Sequence, residues 1–236
     1  MTTATIPPRS RRINRAMLFG GLSTFALLYC VQPLMPVMAD QFALTAAESS
    51  WVLSISTLTM AVALVFGGAL SDRVGRKAVM ACAMFGASVC TLLCAFAQDF
   101  TQLLVLRALL GVALGGMPAV AMAYLGEEIE PQSLGVSIGL YIGGSALGGM
   151  LSRVITSVVA DYAPWRFALF GLGVGGLYAG WEFWRSLPES NNFRPGRPGL
   201  KALVDGARLH LRDDGLPWLY ALGFLLMGVF VSLYNY

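Results

Sequence analysis

Seven apolar stretches of about twenty residues recur along this 236-residue chain, and no other feature restricts its fold as much. Twenty residues of helix cover the roughly 30 Å of a bilayer's hydrocarbon core, where every backbone amide must be satisfied within the protein. Composition agrees: 56% of the residues are hydrophobic and 12% charged, against about one-quarter charged in a soluble domain. The expected fold is an all-α polytopic membrane protein. The net charge of +3 requires no nucleic-acid partner, because the cations fall in connections where membrane topology accounts for them.

The spans are expected at 17–38, 50–70, 78–97, 103–125, 134–159 and 166–187, with a seventh at 216–236. This divides the chain into a basic tail (1–16), a six-helix bundle (17–187), a polar central loop (188–215), in which the spacing of Leu200, Leu203, Val204, Ala207 and Leu211 predicts an interfacial amphipathic helix, and a last span (216–236). The first span is long enough to stay in the membrane and lacks a small-residue cleavage site, so no cleavable signal peptide is expected. Lys and Arg counts orient the chain. Arg9, Arg11, Arg12 and Arg15 precede the first span, Arg73, Arg76 and Lys77 join the second to the third, and Arg194, Arg197, Lys201, Arg208 and Arg212 follow the sixth. Loops 40–49 and 98–102 carry no cation, and Arg153 and Arg166 flank the remaining connection on that side. The N-terminus, the second-to-third turn and the central loop are therefore expected to be cytoplasmic.

That turn is unusual. Gly68, Asp72, Arg73, Gly75, Arg76 and Lys77 fall within ten residues between two apolar runs. Gly75 can take a positive φ and reverse the chain, and Gly68 lets the second helix approach a neighbour closely. Asp72 at the membrane edge needs a partner, which Arg73 or Arg76 can supply. Such a cluster could latch two bundles on the cytoplasmic side, or could simply hold the hairpin inside by its cations. Glu127, Glu128 and Glu130 form an acidic patch within reach of Arg73 or Arg76.

Catalytic signals are lacking. There is one histidine, His210, and no Ser-His-Asp set, phosphate-binding loop or carboxylate pair at catalytic spacing. No enzyme, metal or cofactor is expected. Cys30, Cys82, Cys90 and Cys94 fall in spans and read as small packing residues; Met60, Met84, Met117 and Met122 read as flexible packing.

The order of residues in the turn resembles the loop signature of the major facilitator superfamily. Arg107-Ala-Leu-Leu-Gly111 resembles that family's second motif, with Leu110 where Gln is common, and Leu187-Pro188-Glu189-Ser190 resembles its sixth-helix ending. The segments from Gly139 to Leu151 and from Leu226 to Tyr236 look like its drug:proton antiporter group, in a branch associated with acriflavine sensitivity. The resemblance implies an N-terminal six-helix bundle of two inverted three-helix repeats, here followed by a seventh helix. It implies proton-coupled export of small amphipathic or drug-like compounds across a cell inner membrane, the partners being the bilayer, the substrate and protons. Arg107, inside a span, would support coupling or substrate binding, or would snorkel to the headgroups. Gly139, Gly143, Gly144, Gly148 and Gly149 on the fifth helix read as close packing, since Ser145 stands where the antiporter pattern has a proline. Tyr29, Gln32, Tyr124 and Tyr141, with Ser56 and Thr59, are candidates to line a central cavity. No Asp or Glu lies deep in the first five spans, so coupling would use edge acids such as Asp40 and Asp72 or residues outside this chain. Facilitators have two six-helix halves, so a chain that stops one helix into the second half is expected not to transport alone. The alternative is a non-transporting membrane protein that associates with a full-length relative.

Overall fold

The computed structural model describes residues 8–193 and 200–235, the latter by backbone alone at 200–204, 207 and 230–235. Residues 1–7 of the basic tail, Arg194 and Arg197 of the central loop, and Tyr236 lie outside the described residues. Described residues are helical apart from short connections: α1 (Pro8–Tyr29), a 3-10 turn (Gln32–Leu34), α2 (Met35–Phe42), α3 (Ala46–Val74), α4 (Arg76–Cys94), α5 (Phe100–Leu114), α6 (Pro118–Glu128), α7 (Pro131–Tyr162), α8 (Trp165–Ser186), α9 (Leu200–Arg212) and α10 (Leu216–Asn235). Residues 1–195 form one unit and 196–236 a second.

Two of the six expected bundle helices are broken. Proline has no N–H and its ring clashes with the carbonyl four residues earlier. Pro33 therefore ends α1 at Tyr29, and Pro118 ends α5 at Leu114. Some helices outrun their apolar cores. Helix α1 begins at Pro8, so part of the expected tail is helical, and α7 runs to Tyr162. Thr45 starts α3 with a capping box, its hydroxyl accepting from the Glu48 amide while Glu48 accepts from the Thr45 amide. Among the described residues, five helical stretches are long and apolar enough to cross a membrane. The sixth, α8, has 22 residues, about 33 Å of helix, but is less apolar because it carries Gly171, Gly173, Gly175, Gly176, Gly180 and Glu182.

The packing displays the two repeats. Taking α1/α2, α3 and α4 as the first and α5/α6, α7 and α8 as the second, the most extensive seams are α1 on α7, α3 on α5 and α4 on α8. Exchanging the repeats maps the first seam onto the second and the third onto itself. The broken helices α1/α2 and α5/α6 are also equivalents under that exchange, as are α3 and α7, the least covered spans at 28% buried. Two apolar clusters fill the bundle: one around Leu27, Leu34, Val52, Leu103 and Trp165, the other around Met17, Met84, Met117, Tyr124 and Phe183.

Close approach on α7 is confined to one glycine stripe. A side chain at Gly144 would meet the Leu18 carbonyl oxygen at 2.7 Å, and one at Gly148 would clash with that of Leu22. Gly139 and Gly143 have nothing within 4 Å, so the expectation of close packing fails there within this chain.

In the second unit the expected helix in the central loop forms as α9. Asp213 Oδ1 then accepts from the amides of Gly215 and Leu216 at 2.9 Å each, starting α10. Those two bonds hold the Asp213 carboxyl below its ordinary pKa.

Candidate functional site

Two groups of polar residues stand out from the apolar packing. The first occupies the end of the bundle where α3 turns into α4. Gly75 has φ +108°, a backbone that L side chains rarely adopt, and it reverses the chain between the helices as expected. Gly68 does not have the role expected of it: a side chain there would meet nothing within 4 Å, whereas one on neighbouring Gly67 would lie 2.9 Å from the Gly115 carbonyl oxygen.

Of the two candidate partners for Asp72, the structure pairs it with Arg76 at 2.6 Å, one helical turn on. Arg76 also grips Glu127 with two nitrogens, at 2.8 and 3.3 Å, and donates to the Ser71 hydroxyl. Its Cζ lies 5.6 Å from the centre of the Phe193 ring. Lys77 pairs with Glu189 at 3.1 Å, while Arg73 is exposed. Glu128, its side chain 1% exposed, takes a 2.6 Å ion pair from Arg9 and hydrogen bonds from Ser190 Oγ at 2.7 Å and the Asn192 amide at 2.8 Å. Arg15 reaches Glu182 at 2.5 Å.

This network unites the three segments singled out in the sequence, namely the turn, the acidic patch and the Pro188-Glu189-Ser190 ending. It adds Arg9 and Arg15, which the sequence had presented only as topogenic charge. Arg76 joins the first repeat to the second through Glu127, and Arg9 and Arg15 do the same through Glu128 and Glu182. Within the bundle, the cluster fastens the two repeats of one half together.

The second group surrounds the end of α1. A helix terminus leaves carbonyls without amide partners. Arg107, 1% exposed, donates Nη1 to the Leu27 oxygen at 3.0 Å, Nη2 to that of Leu28 at 2.7 Å, and Nε to that of Val52 on α3 at 3.1 Å. Cys30 Sγ also donates to Leu27 at 3.2 Å. A cation is favoured at a helix C-terminus by the aligned peptide dipoles, which helps a buried guanidinium to stand on carbonyls alone. Arg107 therefore does not snorkel. It braces α1, α3 and α5 against one another.

The next residue of α1, Tyr29, is held by a second arginine. Arg153 on α7 places its Cζ 4.7 Å from the Tyr29 ring centre, and Tyr29 stacks on Phe25 with centroids 5.9 Å apart. Gly149 leaves room for the Tyr29 ring, 3.5 Å from where a Cβ would stand. Arg153 had been counted as flanking a loop. Nine residues of α7 follow it, about 14 Å of helix, so it belongs to the span. The signal was available, because position 153 falls inside the span expected at 134–159.

The other cavity candidates divide. Tyr29 and Gln32 lie half-buried at the break in the first helix. Tyr124 is fully buried and donates to the Pro188 carbonyl at 2.9 Å, and Tyr141 is 4% exposed within the cluster around Met17 and Phe183. Both belong to the packed interior and not to an open wall. Thr59 donates across to the Ala108 carbonyl at 2.9 Å, locking α3 to α5, and Ser56 turns back onto Val52 of its own helix at 3.2 Å. Among the described residues no group of His, Cys, Asp and Glu is arranged to hold a metal.

Residues 17–236 match the family model of the Major Facilitator Superfamily. The inner membrane transport protein YnfM of Escherichia coli (strain K12) is 50% identical over 229 residues, covering 97% of this chain and 55% of that protein. The multidrug resistance protein MdtG of Proteus mirabilis (strain HI4320) is 34% identical over 157 residues, 64% of this chain and 39% of MdtG. The chain spans about half the length of such relatives. Among solved structures, the human organic anion transporter MFSD10 (TETRAN) superposes with a TM-score of 0.68 at 18% identity, covering 85% of this chain and 53% of that one. The repeat-related packing and the charged α3–α4 turn thus have a common origin: this chain belongs to the Major Facilitator Superfamily.

Proposed function

We propose that the chain supplies the first half-bundle of a secondary transporter that exports small amphipathic, drug-like compounds against protons by alternating access. The observation that carries this is the Arg76 bridge. It ties Asp72 to Glu127 at a rim where Arg76, Asp72 and Glu127 remain 10%, 32% and 30% exposed, still open to a second partner. Ion pairs at a wet edge form and break at small cost, as a latch between rocking halves requires. The excess of Lys and Arg at that end supports a cytoplasmic position for it and for the N-terminus. The resemblance to MdtG, a multidrug resistance protein, supports the substrate class. Proton coupling would fall to edge acids such as Asp40 and Asp72 or to a second half of the kind the relatives have.

The test is dye flux in energised inverted vesicles carrying the chain alone or with the second half of the E. coli relative supplied in trans, using amphipathic dyes of either charge. Gradient-driven flux is expected with the second half present, and Asp72→Asn lowers it about tenfold. Absence of Asp72-dependent flux in both preparations would leave the second reading, a non-transporting membrane protein that associates with a full-length relative. The chain's coverage of 55% of YnfM is what favours keeping it.

A further inference from the structure

We propose that α9 is a docking surface for anionic phospholipid, held in the headgroup layer where α10 enters the membrane. With about 3.6 residues per turn, positions Leu200, Leu203, Val204, Ala207 and Leu211 fall on one side of this helix. Leu211, whose side chain is described, is 67% exposed, so apolar surface there still needs cover. Lys201, Arg208 and Arg212 follow one another at seven and four residues, which sets them in a line along one edge of the apolar side. Asp205 falls beyond that line, away from the apolar side, and pairs with Arg208 at 4.0 Å. Arg194 and Arg197 come shortly before the helix, so Asp205 is the one acid among the five cations from 194 to 212. Asp213 and Asp214 follow, and Asp213 is turned onto the first amides of α10.

The depth of α9 follows from its neighbour. Helix α10 has 20 residues, about 30 Å of helix, the thickness of a hydrocarbon core. Its first two turns carry Trp218 and Tyr220, 77% and 52% exposed, aromatic side chains of the kind that settle at headgroup level. Only residues 213–215 separate the two helices, a reach of roughly 10 Å. The Tyr220 hydroxyl and His210 Nδ1, 3.1 Å apart, tie them further. The C-terminal end of α9 therefore cannot leave the headgroup layer. At that depth the apolar side meets acyl chains and the line of cations meets phosphates. A zwitterionic surface covers the apolar side but offers the cations no net charge, so the fit is to anionic lipid.

Amide hydrogen exchange of the full chain is compared in nanodiscs of phosphatidylcholine alone and of phosphatidylcholine with about one-quarter phosphatidylglycerol. The amides of α9 are expected to exchange about tenfold more slowly in the anionic discs, while those of α3 and α4 exchange alike in both. Salt at about 1 M should erase most of that difference. Replacing Arg208→Gln and Arg212→Gln together should do the same at low salt, and Leu211→Ser should speed exchange in both discs. The lipid comparison on the unaltered chain needs no variant to fold. Equal exchange of α9 in the two discs would overturn the proposal, whether fast or slow; equal and slow exchange would mean that neutral lipid or protein covers the apolar side. A difference that survives both high salt and the double replacement would overturn it as well. Exchange reads α9 directly, so its outcome is independent of dye flux.

Discussion

The two polar regions of the bundle are both built on arginine, yet they differ in how they hold it. Arg76 shares its charge among Ser71, Asp72 and Glu127 at a partly open rim, and Lys77, Arg9 and Arg15 make parallel ties nearby. Arg107 is sealed in the core and stands on three carbonyls of two other helices. Redundant ion pairs, each with one partner facing water, can be exchanged one at a time. A buried cation with no second set of partners cannot let go without exposing itself and the carbonyls it serves. The rim has the properties of a part that moves, and the Arg107 layer those of a part that must not.

The sharpest way to break that comparison is to remove each arginine in turn. Arg107→Leu should destabilise the chain by roughly 2–4 kcal/mol, from three interhelical hydrogen bonds lost and buried carbonyls left at the end of α1. Arg107→Lys should recover little, because one ammonium cannot span three carbonyls as a planar fork does. Thermal unfolding in detergent reads both. A cost for Arg76→Ala as large as that for Arg107→Leu would erase the distinction between the regions.

Gly148→Ala comes next. Its Cβ would collide with the Leu22 carbonyl oxygen, which is backbone and cannot swing aside. Parting the α1–α7 seam that carries Tyr29 and Arg153 should cost about 1–3 kcal/mol, read by the same unfolding assay.

How much of this could be read beforehand depended on whether the signal was local. Each expected span coincides with a helix or a broken pair of helices, but hydropathy missed the start of α1 by nine residues, because most of Arg9 to Arg15 is polar yet still helical. Solvent preference and backbone conformation are separate properties. The pairing of Asp72 with Arg76 was legible from a spacing of one turn. The bond from Arg9 to Glu128, across 119 residues, was not. Arg107 was recognised as an intramembrane cation, but its partners are backbone oxygens, to which side-chain patterns are blind. The helix breaks at Pro33 and Pro118 were written in the sequence and were passed over because hydropathy continues through them.

Arg76→Ala should cost about 1 kcal/mol and should do so less in high salt, as a screened pair at a wet edge behaves. Its flux phenotype, with the second half supplied, should far exceed that loss of stability, since exchange of partners is the proposed work of the rim.

The smallest effect, and the most discriminating, is expected at Gly68. This residue sits inside α3 with open space where a side chain would go. Alanine there should raise stability by about 0.5–1 kcal/mol, because glycine loses more freedom than alanine on joining a helix. Nothing in this half-bundle therefore requires glycine at position 68. If Gly68→Ala leaves the chain at least as stable and still lowers flux, the glycine serves a close approach by something outside the half-bundle at the latch end of α3. If flux is unchanged, the rim works through its charges alone, and Gly68 has no part in the latch.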